Sequence, residues 1–318
     1  MFNCSDYVKT NQPINMTDMI ERIALDVTGY CLFDSEFNAM NNPNSEFRKI
    51  SKIILRSTNE NTIRRMMKIF DSANVLKKLF DFQDISPKVH NFFFNRLEDT
   101  KKLPQCELTT ENDFVKLMLN IRNKELADGK DVTFTDEIIA SNMRLFFEGG
   151  FEPASTTLNF CLYELAMNPM IQERVRSEIK RVRDSRSGFF EFNALDQLTY
   201  MEMVIEETLR KYPPQTMLHR ICTKTYRIPE SDVILRPHVS VSIPIYSIHH
   251  DERYYENPET FDPERFTTEN KARRIPNTYI PFGIGPRKCL GSLPCIQRRS
   301  PSSRGSIVFR FESGCQVR

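Results

Sequence analysis

The 318-residue sequence predicts a mainly α protein with a small β-sheet. Three observations carry this. Apolar residues recur at helical spacing through most of the chain up to Lys211. A double proline, Pro213-Pro214, closes that region. Beyond it the period changes to two, with Val239, Val241 and Ile243 alternating with Ser240 and Ser242.

In order, Met16–Phe33 places Ile20, Ile23, Ala24, Val27 and Tyr30 at helical spacing, with Thr17 as the expected cap. The stretch 47–82 is helical in pattern and rich in Ile, Leu, Met and Phe, and 91–97 continues that style with three consecutive phenylalanines. Residues 107–113 read as a polar connector, 113–126 as a helix and 128–130 as a turn. Thr135, Asp136 and Glu137 open a long helical pattern that runs through Gly149-Gly150 and resumes over 155–168. Pro169 starts a helix with its charges facing water, and 195–211 is a further helix with Leu198, Met201, Val204, Ile205 and Leu209 on one face. Val233-Ile234-Leu235 and the 239–243 run are expected as two strands turned at Pro237-His238.

Bulk properties narrow the function classes. A net charge of +2, a sequence pI near 8.1 and no block of like charge point away from nucleic acid. Mean hydropathy is −0.46, and no run is long and apolar enough to span a bilayer. The eight cysteines are scattered with no Cys-x-x-Cys pair, which argues against zinc and for reduced, mostly buried thiols.

The chemistry concentrates in Pro281–Gly291, which fits Phe-x-x-Gly-x-Arg-x-Cys-x-Gly at Phe282, Gly285, Arg287, Cys289 and Gly291. A random chain of this size matches that pattern with odds on the order of one in ten thousand. Cys289 sits among glycines and basic neighbours, a setting that favours a thiolate. Gly283 and Gly285 allow a tight bend that frees backbone amides toward the sulfur. Phe282 offers an apolar lid, and the Arg287 fork suits a carboxylate.

This loop resembles the haem-binding loop of the cytochrome P450 family, the haem-thiolate monooxygenases. The resemblance implies a P450 fold, haem (iron protoporphyrin IX) as cofactor and Cys289 as the ligand of its iron. It also implies Arg287 and, by its position after the double proline, Arg220 at the propionates. Glu207, Arg210 and Arg265, in that order before the loop, resemble the family's buried Glu–Arg–Arg structural core. Gly149, Gly150, Glu152 and Thr156 fall in a stretch similar to the oxygen-binding turn of the long central helix, where small residues admit dioxygen and Glu152 feeds protons. Pro153 departs from the pattern: it stands where the family usually has a threonine, so Ser155 or Thr156 takes that role. Phe146, Phe147, Phe151, Met217 and Leu218 are either pocket walls or core. His249 and His250, where many relatives carry His-Arg, read as structural.

The residues 26–33 and 44–47 are similar to the middle helices of insect-type microsomal, detoxifying members. Such a member takes apolar substrates and dioxygen, and draws electrons from an NADPH-dependent flavoprotein reductase at the cytosolic face of the endoplasmic reticulum. The resemblance covers about 16–291 and implies a partial chain. The family's membrane anchor and early sheet have no counterpart before Met16, and with no Trp in the chain a propionate-binding helix is missing. The apolar last helix is replaced by 292–318, expected to be an aberrant, disordered tail. Two alternatives stay open: a non-catalytic remnant binding haem poorly or not at all, and a haem-thiolate peroxygenase or isomerase.

Overall fold

The computed structural model describes residues 14–33, 37–55, 86–103, 114–184 and 196–292. The chain divides into two compact units, Met1–Ser155 and Thr156–Arg318.

In the first unit, α1 (Met16–Phe33) is followed by a helical segment over 46–55, then α2 (Pro87–Lys101), α3 (Phe114–Ala127) and the start of α4 (Asp136–Met167). The cap of α1 is Asn15, not Thr17: Asn15 Oδ1 accepts from the Asp18 amide at 3.1 Å. Asn and Thr both suit the position, and the side chain one residue before the helix reaches its free amides. Asp26 pins the next turn to α1, accepting from the Ala39 and Met40 amides at 2.7 and 3.0 Å. The core is aromatic: Phe47 meets Phe92 edge-on at 5.0 Å, Phe93 meets Phe147 at 5.5 Å, and Phe147 meets Phe151 at 5.2 Å. Phe147 and Phe151 have no exposed surface. A spacing of four puts Phe147 and Phe151 on one face of α4, and burying these rings is the main favourable term.

Helix α4 runs unbroken for 32 residues through Gly149, Gly150 and Pro153. Asp136 at its start takes Lys101 Nζ at 2.9 Å and is also paired with Arg122, so the starts of α4 and the ends of α2 and α3 share one carboxylate. The hydrogen bond from Lys101 leads the causes that hold the Asp136 carboxyl below the usual range.

Among its described residues the second unit holds the rest of α4, α5 (Pro169–Asp184), α6 (Thr199–Lys211), four short strands, α7 (Ile245–His249), a 3₁₀ turn at Pro263–Phe266 and α8 (Thr268–Arg273). Leu198 and the helix preceding Pro213 place α6 close to expectation. Its first amides are capped from outside the helix: Glu178 of α5 accepts from the Tyr200 and Met201 amides, both at 2.9 Å.

The sheet differs from expectation. The 234–235 and 240–243 strands do not pair with each other. β1 (Leu218–Ile221) pairs antiparallel with β4 (Ser240–Ile243), with Leu218 opposite Ile243, and β2 (Tyr226–Arg227) pairs with β3 (Ile234–Leu235). Pro237 and His238, the latter at φ +70°, turn the chain out of β3 so that Val239 O meets the Cys222 amide at 2.9 Å. Residues 56–82 of the predicted 47–82 helix, the 107–113 connector and the tail from 293 lie outside the described residues. Among the described residues, no helix is long and apolar enough to cross a membrane.

Candidate functional site

The second unit brings Glu207, Arg210 and Arg265 together. Spacing of three on α6 puts the first two on one face. Arg210 Nε donates to Glu207 Oε2 at 2.7 Å and Nη2 to Oε1 at 2.8 Å. The remaining guanidinium donors go to backbone: Nη1 to His249 O at 2.8 Å and Nη2 to Pro258 O at 2.7 Å. Glu207 Oε1 also takes the Asp262 amide at 3.0 Å, and Arg265 Nε stands 3.5 Å from it. Both Glu207 and Arg210 are fully buried. A buried charge pair is tolerated only when its lone pairs and protons are matched in this way.

His249 is also fully buried. Its Nδ1 lies 3.1 Å from Arg210 O, and its Nε2 accepts from the Ile280 amide at 3.0 Å. Burial pushes its pKa down to about 4. Sequence reasoning classed this histidine as structural but gave no sign of its two partners. An isolated His-His pair carries no periodicity that points to them.

Ile280 leads into the cysteine loop. Gly283, at φ +67°, donates its amide to Ile280 O at 3.0 Å. Gly285, at φ +77°, starts a short 3₁₀ turn ending at Arg287 and accepts from the Lys288 amide at 3.0 Å. The Cys289 amide then reaches back to Phe282 O at 2.9 Å and closes the loop. Two positive φ values within three residues explain why glycine stands at both places. The Cys289 thiol is exposed and in no disulfide, and Arg287 is exposed beside it in sequence. A Cβ at Gly291 would sit 3.6 Å from Cys289 Sγ, so that glycine stands against the sulfur. By contrast Cys161 is buried, and burial pushes its thiol up to about 11, which marks it as a packing residue.

Arg220 lies on β1 opposite Val241, its Nη1 donating to His219 O at 2.8 Å. Leu218 of the same strand stands 3.4 Å from the position a Cβ would take at Gly283. Met217 is exposed.

Gly149, Gly150, Glu152 and Thr156 lie on α4. In the first unit, a Cβ at Gly150 would come within 3.0 Å of Thr28 Cγ2, whereas one at Gly149 would meet nothing within 4 Å. Gly150 is therefore used for close approach of α1. The Ser155 hydroxyl donates to Glu152 O at 3.0 Å. Burial, and then the neighbouring Glu148, hold the Glu152 carboxyl above the usual range. Thr156 is half-buried. Phe147 and Phe151 are core residues, and Phe146 packs on Phe114 with ring centres 4.2 Å apart.

The family model described as Cytochrome P450 matches residues 5–293. Among curated proteins the chain is 35% identical over 305 residues to cytochrome P450 6k1 of Blattella germanica, covering 90% of this chain and 58% of that protein. It is 36% identical to probable cytochrome P450 6a13 of Drosophila melanogaster, covering 87% and 55%. It is 34% identical to cytochrome P450 9e2 of Blattella germanica, covering 88% and 54%. The chain thus spans somewhat over half the length of these relatives.

Proposed function

The chain belongs to the cytochrome P450 family, and on that premise we propose that it carries the haem-binding half of a monooxygenase for apolar small molecules. Haem, the cofactor of that family, supplies the activation of dioxygen when bound.

The residues present suit the group. The Cys289 thiol is exposed, uncommitted to any disulfide, and held on a loop bent by two glycines at positive φ. In this reading Cys289 would hold the iron through its thiolate. Phe282 would offer an apolar lid to the sulfur, and Gly291 leaves it room. Arg287 and Arg220 would meet the propionates through charge-assisted hydrogen bonds. In this reading Gly149 would keep the oxygen side free of side chains, whereas Gly150 is taken up by the close approach of Thr28. Glu152 holds a proton at its carboxylate more readily than an exposed glutamate does, and passes it on with Thr156 as the hydroxyl partner. Glu207, Arg210 and Arg265 anchor the segment beneath the loop without touching the reaction. Electrons come from an NADPH-dependent flavoprotein reductase, and the enzyme works at the cytosolic face of the endoplasmic reticulum.

The exposed, free thiol of Cys289 carries this reading. The full 318-residue chain is loaded with haem, reduced and treated with carbon monoxide. A thiolate-type Soret shift is expected, and Cys289→Ala abolishes it while leaving far-UV dichroism unchanged. Free-haem absorbance in the unaltered chain would overturn the reading in favour of a non-catalytic remnant.

Pro153 favours a second reading, because it occupies the turn of α4 where the family usually places a threonine. In that case the haem works with peroxide, or as an isomerase, rather than with dioxygen and reductase. Product formation with NADPH and reductase, compared with peroxide alone, separates the two.

A further inference from the structure

We propose that His249 is a positioning residue of the cysteine loop, joining the buried Glu207–Arg210 pair to the main chain that carries Cys289. The hydrogen bonds form an ordered series. Arg210 Nη1 donates to His249 O at 2.8 Å, and His249 Nδ1 returns a bond to Arg210 O at 3.1 Å. His249 Nε2 takes the Ile280 amide at 3.0 Å, Ile280 O takes the Gly283 amide at 3.0 Å, and Phe282 O takes the Cys289 amide at 2.9 Å.

The two partners of the ring fix its proton. A carbonyl only accepts, so Nδ1 must carry hydrogen; a backbone amide only donates, so Nε2 must be bare. No other form of the side chain satisfies both. A proton added at Nε2 would point at the Ile280 N–H and break the link to the loop. The surroundings hold the uncharged ring. It stacks on Tyr279 with centres 5.6 Å apart and lies edge-on to Tyr255 at 6.4 Å. Arg210, Arg274 and the neighbouring His250 all oppose a positive charge there, with Glu206 and Glu207 the acidic groups near the two tyrosines. The functional weight of the linkage rests on the assignment of Cys289 to haem; the linkage itself does not.

The test separates the two nitrogens. His249→Asn places a donor near Nδ1 and removes the Nε2 acceptor. His249→Gln places an acceptor near Nε2, and His249→Phe removes both. In the haem-free full chain, amide hydrogen exchange at Ile280 is expected to rise roughly tenfold in the Asn and Phe variants, the scale of one lost hydrogen bond, and to stay near the unaltered value in Gln. With haem, the thiolate-type fraction of the carbon-monoxide spectrum falls in Asn and Phe and is kept in Gln. Equal behaviour of all three variants would show that the ring only fills space and would overturn the proposal. If substitution prevents folding, imidazole ¹⁵N shifts of the unaltered chain decide: the Nδ1–H form is expected, and the Nε2–H form sinks the idea. Absence of a thiolate spectrum in the unaltered chain would defeat the haem assignment alone, and the exchange data would still judge the linkage.

Discussion

Arg210 grips Glu207 with two donors, Nε to Oε2 at 2.7 Å and Nη2 to Oε1 at 2.8 Å, and neither residue exposes any surface. Removing one partner leaves the other charged, dry and unmatched. Glu207→Ala should therefore cost about 3–5 kcal/mol in urea unfolding, and Arg210→Lys a similar amount, since a lysine cannot reproduce the fork. Arg265 stands farther off at 3.5 Å with a side chain 15% exposed, so Arg265→Ala should cost only about 1 kcal/mol. Equal losses at Glu207 and Arg265 would contradict the geometry.

Stability should fall in acid through His249. Its pKa in the folded chain is about 4 against 6.5 unfolded, so between those values only the unfolded chain binds the proton. The stabilising contribution is complete above pH 6.5 and is lost as pH drops toward 4, amounting to about 3 kcal/mol at most. His249→Gln removes that group, and its stability–pH curve should be flatter over the same window. Parallel curves for the two proteins would show that other groups set the acid limit.

The adjacent glycines of α4 should respond in opposite directions. Gly149→Ala meets nothing within 4 Å and should gain up to about 1 kcal/mol from helix propensity. Gly150→Ala pushes a methyl to 3.0 Å from Thr28 Cγ2 and should lose about 1–3 kcal/mol by overpacking. Combining it with Thr28→Ala should recover part of the loss. Thermal midpoints of the four proteins are the measurement, and a Gly150 variant as stable as its neighbour would exclude close packing of α1 there.

Much of this was legible because local chemistry and position coincided. The period of three to four along 136–167 and 199–211 gave the helices, and Glu207, Arg210 and the cysteine loop were visible as spaced motifs. The strand pairing was not, since β1 and β2 are too short to show alternation, and the partner of β1 lies beyond the whole β2–β3 hairpin. The choice between core and pocket for Phe147 needed its neighbours, which come from α2 and from Phe37 and Phe47, and Phe151 follows by packing on Phe147. The partners of His249 are a carbonyl and an amide, and backbone groups leave no mark in a sequence.

The loop glycines test whether backbone shape alone presents Cys289. At Gly285, φ is +77° and an added Cβ would meet nothing within 4 Å, so the cost of Gly285→Ala is purely conformational, about 1–2 kcal/mol. The loop is exposed, and it can open without unfolding the unit. The strain should thus appear locally. The Lys288 and Cys289 amides, held by Gly285 O and Phe282 O, should exchange roughly 5- to 30-fold faster with little change in the thermal midpoint. Gly285→Asn should do less, because asparagine enters the left-handed region more readily. Exchange that is equally fast in both variants would mean that the lost hydrogen atom, and not the sign of φ, governs the bend.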